Sequence, residues 1–242
     1  MTLTVLPLEG LPEVGPGADL AELVTRSRSL EDGDVVVLAQ KIVSKAEGRV
    51  VRLDAVEPSQ RARELAGAEG DARHVEVILR EAVRIVRTRG PLVIAETRHG
   101  FICASAGVDA SNAPERGTLV LLPVDADASA RRIRDRVREV SGRSVAVVVS
   151  DSFGRPWRQG TTDVAIGVAG VTPLLDLRGT KDAIGYELRS TQIAVADELA
   201  GAAELVMGKA ARVPGAVIRG YRASGDGAAR ELVMPAERDL FR

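Results

Sequence analysis

SVAVVVSDSFGRPWRQGTTDVAIGVAG, residues 144–170, decides how this chain is read. Residues 144–150 and 164–171 are apolar and β-branched, the composition of buried strands, whereas the stretch between them is polar and broken by glycine and proline. The reading is strand, functional loop over 150–162, strand. Outward from this stretch, further strands are expected at 34–39, 49–53, 92–95, 119–122 and 216–219. Three helical patterns alternate with them. In residues 72–87, Val75, Ile78, Leu79, Ala82, Ile85 and Val86 recur at helical spacing, with Arg73, Glu76, Arg80, Arg84 and Arg87 on the other face. Residues 128–140 place Ile133, Val137 and Val140 on one stripe beneath a solvated arginine-rich face, with Asp125 or Asp127 as cap, and residues 193–211 form the third helix. This mixed order predicts an α/β (mixed α+β) fold. No internal repeat or low-complexity tract divides the chain, which reads as a single domain over 1–242, with two interleaved subdomains as an option.

Composition removes several function classes. The 242 residues carry 33 Lys+Arg against 34 Asp+Glu, a net charge of −1, and only six aromatics. A chain so balanced offers neither a sequence-wide basic field nor stacking platforms, which disfavours nucleic acid as a partner. The apolar runs are far shorter than the ~20 residues of a membrane-spanning helix. The opening MTLTVLPLEG lacks the basic and apolar regions of a signal peptide, and the single cysteine, Cys103, cannot form an internal disulfide. A soluble, cytoplasmic protein is expected. One cysteine and two separated histidines, His74 and His99, match no zinc-ligand spacing, so any metal must be held mainly by oxygen.

Three polar loops, 9–17, 109–117 and 150–162, are the candidates for chemistry. Asp151 and Ser152 follow the apolar strand at its carboxyl end, where open sheets bind ligands, and supply two oxygens for a hard divalent cation. Arg155, Arg158, Gln159, Thr161, Thr162 and Asp163 add groups suited to phosphate or metal. The competing structural reading is a capped turn in which Asp151 satisfies backbone amides and Trp157 plugs the core. Asp109, Ser111 and Asn112 form a second oxygen cluster, by itself an ordinary Asx-turn, which becomes a second metal carboxylate only if it meets Asp151. Lys41 and Lys45, four apart, would share a helical face suited to polyphosphate or be solvated surface lysines. Gly208-Lys209-Ala210 is not a P-loop, and no GxGxxG occurs. His99, after the strand at 92–95, is either an acid–base group or a structural histidine, and Cys103 reads as a buried small hydrophobe.

The segments GLPEV (10–14), QKIVSKAEGR (40–49), ETRHG (96–100), AGVDASN (106–112), LLPVDADASARRIR (121–134), residues 150–170 and ADELAGAAELVMGKA (196–210) occur in the order seen in one family. The chain resembles the coenzyme F420-0:γ-glutamyl ligases nearly end to end. The resemblance implies a GTP-dependent ligase that adds L-glutamate to F420-0 and then γ-linked glutamate to F420-1, releasing GDP and phosphate; because a carboxylate is a poor electrophile, an acyl phosphate is the expected intermediate. It implies an intertwined α/β homodimer, neither P-loop nor Rossmann. By the same resemblance Leu11, Pro12, Glu13, Val14, Gln40, Lys45 and Asn112 contact GTP, as does the segment 204–211, here represented by Met207, Gly208 and Lys209. Asp109, Asp151 and Ser152 ligate two Mg²⁺ or Mn²⁺ ions, with K⁺ as a further cation, and Asp109 and Asp151 are the catalytic pair. Gln40 stands where some relatives have serine. Some family members carry a second, flavin-binding domain with reductase character, and no such activity is expected of these 242 residues. The competing functions are a GTP-dependent small-molecule kinase and a non-catalytic module that binds GTP or a deazaflavin.

Overall fold

The computed structural model describes residues 2–240; of the domain expected over 1–242, Met1, Phe241 and Arg242 lie outside the described residues. The chain begins β1 (Thr4–Pro7), α1 (Leu20–Ser27), β2 (Val35–Ala39) and α2 (Gln40–Ala46). An excursion follows with β3 (Val50–Arg52), α3 (Gln60–Ala66), α4 (Ala72–Glu81), β4 (Ala82–Arg89), β5 (Leu92–Thr97), β6 (Ile102–Ala104) and β7 (Thr118–Val120). The chain then returns through α5 (Ala126–Ser141), β8 (Ala146–Arg155) and β9 (Arg158–Ala169). It closes with β10 (Leu175–Asp176), β11 (Gln192–Ile193), α6 (Val195–Met207) and β12 (Gly215–Arg219).

The frame is a five-stranded mixed sheet, β1-β12-β2-β8-β9, in which β2 and β8 are parallel and the other neighbours antiparallel. Its pleat sorts side chains onto two covered faces. Val36, Leu38, Val147 and Val149 pack against α1 and α5, while Val35, Val37, Ala146 and Val148 pack against α6. Burial on both faces explains why these strands read as unbroken apolar runs. The α5 layer lies so close that a Cβ on Gly167 would sit 2.3 Å from the Ala126 carbonyl oxygen. The excursion builds separate small sheets, β3-β7 and β4-β5-β6, over apolar clusters of its own.

The expected mixed α/β order is observed, with differences that have physical causes. The helix expected over 72–87 ends at Glu81, and Ala82–Arg89 is β4, paired antiparallel with β5. Val83, Ile85, Val86 and Thr88 are β-branched and stiff at χ1, and β5 pairs with Ala82, Arg84, Ile85, Arg87, Thr88 and Arg89 across a ladder broken by bulges at Val83 and Val86. The helix expected over 193–211 spans only Val195–Met207, stopped by Gly208 at φ 56°. In α5 the cap is Asp125, whose Oδ1 accepts from the Ala128 N–H (2.8 Å), while Asp127 accepts from Val168 N–H and ties the helix to β9. Val140 is 37% exposed rather than on the core stripe. The arginine face of α5 is solvated and paired, Arg132 with Glu47 and Arg136 with Asp19.

The largest difference is residues 150–162, which form no loop. β8 and β9 pair through Arg155 and Arg158, leaving only Pro156 and Trp157 at the turn. Trp157 stands at φ 56° and is 80% exposed, so it does not plug the core. Beyond the covered sheet the hairpin arm is solvated, and polar strand residues cost little there. No helix among the described residues is long and apolar enough to cross a membrane.

Candidate active site

β2 and β8 run parallel until β2 ends at Ala39, in register with Ser150, while β8 runs on to Arg155. The chain turns from Ala39 directly into α2, and Ser150 continues into Asp151 and Ser152, so both continuations face one cleft of about 430 Å³. The loop Leu11, Pro12, Glu13 and Val14 forms one side; Met207, Gly208, Lys209 and Arg212, after α6, form the other. Gln40, Lys41, Lys45, Asn112, Asp151, Ser152, Asp163 and Glu204 complete the lining. The structure thus brings together every expected nucleotide position, along with Asp151 and Ser152. Asp109 stands behind this lining, joined to it through Lys41.

The α2 wall is cationic because a short helix packed at a strand end buries the stems of its lysines. The Lys41 side chain is only 14% exposed and the Lys45 side chain 8%, so neither is a solvated surface lysine. Lys41 Nζ donates to Asp109 Oδ2 (2.6 Å) and to Ser111 Oγ (2.6 Å), and Lys45 pairs with Glu13. Gln40 is buried; its Oε1 accepts from Ser44 Oγ (2.8 Å), and its Nε2 is a buried donor without a partner. A donor in that state is set to meet an acceptor from a ligand.

Asp109 does close the expected Asx-turn, its Oδ1 accepting from the Ser111 N–H at 2.7 Å. Burial opposes ionisation of its carboxyl, but the bonds from Lys41 and the Ser111 N–H outweigh it and hold the group below the usual carboxylate range. Asn112, at φ 53°, donates through Nδ2 to the Lys209 carbonyl (3.2 Å), linking this turn to the segment after α6. Asp151 is in the opposite state. Burial pushes its carboxyl up to about 7, and the nearby charges of Asp163 and Asp109 add to the rise against the Ser152 N–H and Lys41. Ser152 Oγ donates to Asp163 Oδ1 (2.6 Å) and Ser150 Oγ to Asp163 Oδ2 (2.8 Å).

His99 lies outside the cleft lining. Its Nε2 meets the Pro123 and Val124 carbonyl oxygens at 2.9 and 3.1 Å, its ring stacks on Phe101, and its Nδ1 is buried without a partner among the described residues. Cys103 is buried, and burial pushes its thiol up to about 12, consistent with an inert small hydrophobe. Sequence reading missed two partners: Lys41 as the cation on Asp109, and Asp163 as the residue binding the serines beside Asp151. Only the pairing of β8 with β9, which sets Asp163 opposite Ser152, carries that second signal.

Residues 10–220 match the family model of F420-0:Gamma-glutamyl ligase. The chain belongs to this family. It is 44% identical over 252 residues to the coenzyme F420:L-glutamate ligase of Methanothermobacter thermautotrophicus, with all of both chains covered. The protein of that name from Methanopyrus kandleri is 48% identical over 248 residues, covering all of this chain and 98% of the relative. That from Methanocaldococcus jannaschii is 44% identical over 231 residues, 94% and 92% of the two chains.

In this F420-0:gamma-glutamyl ligase family member, the cleft sets a cationic wall against an oxygen-rich one. Among the described residues no three His, Cys, Asp or Glu side chains form a ready-made metal cluster. The donors present are all oxygens: Asp151, the Ser152 hydroxyl, and Asp109 held by Lys41. Such a set fits a hard cation that takes the rest of its shell from phosphate and water. Among the described residues no lysine or arginine forms a salt bridge to Asp151, and burial pushes its carboxyl upward.

Proposed function

We propose that this chain is a GTP-dependent ligase that adds L-glutamate to coenzyme F420-0 and γ-linked glutamate to F420-1, releasing GDP and phosphate. The observation that carries the reading is one cleft where β2 ends beside β8, lined by Lys41, Lys45 and Lys209 on one hand and Asp151, Ser152 and Asp163 on the other. Polyphosphate needs the first set and its divalent counter-ions the second.

A free carboxylate is a poor electrophile, so the acceptor carboxylate takes the γ-phosphoryl group of GTP and the resulting acyl phosphate is attacked by the glutamate amine. Little covalent work falls to the protein, and positioning and charge neutralisation dominate. Lys45 and Lys41 lie where they would hold phosphate oxygens, and the Gln40 Nε2 donor and Asn112 would fix the nucleotide between the loop 11–14 and residues 207–209. Asp109, Asp151 and Ser152 would hold Mg²⁺ or Mn²⁺, two per site, which when bound neutralise and align the phosphates; K⁺ would be a further monovalent partner. The working unit is proposed as an intertwined homodimer of one-domain chains, distinct from P-loop and Rossmann nucleotide folds, in the cytoplasm.

Mass spectrometry of F420-0 incubated with the protein, GTP, L-glutamate and Mn²⁺ tests this. The expected product is heavier by one or more glutamyl units, and it disappears when GTP, glutamate or metal is omitted. A phosphorylated product formed without glutamate would establish a kinase instead, and binding of GTP or F420-0 without turnover a non-catalytic module.

A further inference from the structure

Asp163 holds two cleft hydroxyls at once, although it lies 11 residues from Ser152 along the chain. It stands directly across the β8–β9 ladder from Ser152, and Ser150, two residues back on β8, presents its hydroxyl to the same carboxylate. Direct and diagonal cross-strand neighbours lie within side-chain reach. Asp163 itself is nearly inaccessible, 6% exposed, and its backbone N–H is held by Glu204 Oε2 of α6 at 2.9 Å. The carboxylate therefore has a fixed position and two occupied oxygens.

The consequence follows from the donor inventory of a hydroxyl. Serine has one proton and two lone pairs, and an ionised carboxylate can only accept. Both hydroxyls spend their protons on Asp163, at 2.6 Å for Ser152 and 2.8 Å for Ser150. What Ser152 then turns toward the cleft is lone pair alone. A free hydroxyl could donate to a phosphate oxygen or accept; this one is committed to accepting, which is what a cation ligand must do.

We propose that Asp163 is a positioning residue that fixes the Ser152 hydroxyl as a cation-facing acceptor beside Asp151. The inference rests on the metal reading given under the proposed function, but not on the identity of the ligase substrates. Asp163→Asn would reverse the arrangement, because an amide Nδ2 donates and forces one serine to turn its proton outward or lose its partner. Ser150→Ala removes the other arm and leaves the Ser152 bond in place.

The test is a Mn²⁺ titration of the full chain followed by electron paramagnetic resonance of the free ion, without GTP, glutamate or F420-0. Partners that orient metal ligands typically cost about 10- to 100-fold in affinity when lost. Asp163→Asn is expected to weaken Mn²⁺ binding by about tenfold or more at unchanged circular dichroism, Ser150→Ala by less than about threefold. In turnover assays, raised Mn²⁺ should restore most of the Asp163→Asn rate, which a defect of packing alone would not allow. Wild-type Mn²⁺ affinity in a folded Asp163→Asn protein overturns the proposal. Should that variant not fold, Asp163→Glu decides: it keeps the charge but displaces the carboxylate from Ser152, so about a tenfold loss supports the role and wild-type affinity overturns it. If the unaltered protein binds no Mn²⁺, the metal reading fails and takes this proposal with it; unchanged F420-0 alongside the expected Mn²⁺ shifts would fault only the ligase reading.

Discussion

Asp109 and Asp151 are the same residue type, yet their surroundings drive them apart. Asp109 sits in a turn after β6, half-covered, bonded by Lys41 and by the backbone and hydroxyl of Ser111, and its carboxyl is held in the ionised form. Asp151 sits in β8 beside Asp163, with no ion pair to a lysine or arginine among the described residues, and burial together with the charges of Asp163 and Asp109 pushes its carboxyl up to about 7. A structural carboxylate is completed by the chain; a ligand-binding one is left incomplete. On the proposed reading, Asp151 is the residue whose state would change most on binding a cation and nucleotide, and Asp109 would be preorganised.

The strongest test of the contrast is turnover. Asp151→Asn and Asp109→Asn should each lower the ligase rate by more than about 100-fold while far-ultraviolet circular dichroism stays unchanged, since direct ligands are worth at least as much as the groups that orient them. A wild-type-like rate in both variants would end the metal assignment. Next in size is Lys41→Met, which removes the cation from Asp109. Burial then acts on that carboxyl unopposed by the lysine, its pKa rises, and the acid limb of the pH–rate profile should move to higher pH, with roughly a tenfold loss near pH 6 that shrinks toward pH 8.

Stability should separate the two aspartates in the opposite sense. In metal-free buffer the folded chain should keep the Asp151 proton between 3.8 and about 7, where an ordinary carboxyl has released it. The folded state then binds more protons than the unfolded one, so stability falls as pH rises through that window and the loss is complete above about 7. Asp151→Asn abolishes this slope and should raise the thermal midpoint at pH 8 by a few degrees, for relief on the order of 1–4 kcal/mol, while leaving it near the wild-type value at pH 4. Asp109→Asn keeps a turn-forming carbonyl oxygen and should shift stability by no more than about 1 kcal/mol. The smallest effect concerns Cys103: with its thiol pushed up to about 12 and buried, iodoacetamide at pH 8 should leave the native protein unlabelled and modify it in urea.

Local pattern was enough for the strands that build the main sheet. Residues 34–39, 144–150 and 216–219 announce themselves because they are covered on both faces, and a doubly buried strand has little choice of composition. The segment after Glu81 was not legible in that way. Ala82, Ile85 and Val86 fit a helical stripe as well as they fit β4, and only the ladder with β5 breaks the tie. Residues 150–162 misled for the converse reason: glycine, proline and charge are loop signals, but a hairpin arm standing clear of the core accepts polar residues on its faces.

The site divides along the same line. The types and order of residues in segments 10–14, 40–49, 106–112, 150–170 and 196–210 were sufficient for the family and for the list of residues that line the cleft. Sequence alone could not say that Lys41 reaches across 68 residues to Asp109, that Asp163 binds two serines, or that Asp151 lies deep enough for its carboxyl to resist ionisation. Composition and spacing act over a few residues, whereas charge state and hydroxyl direction depend on which distant groups the fold carries to within about 3 Å, and on how much water it leaves between them.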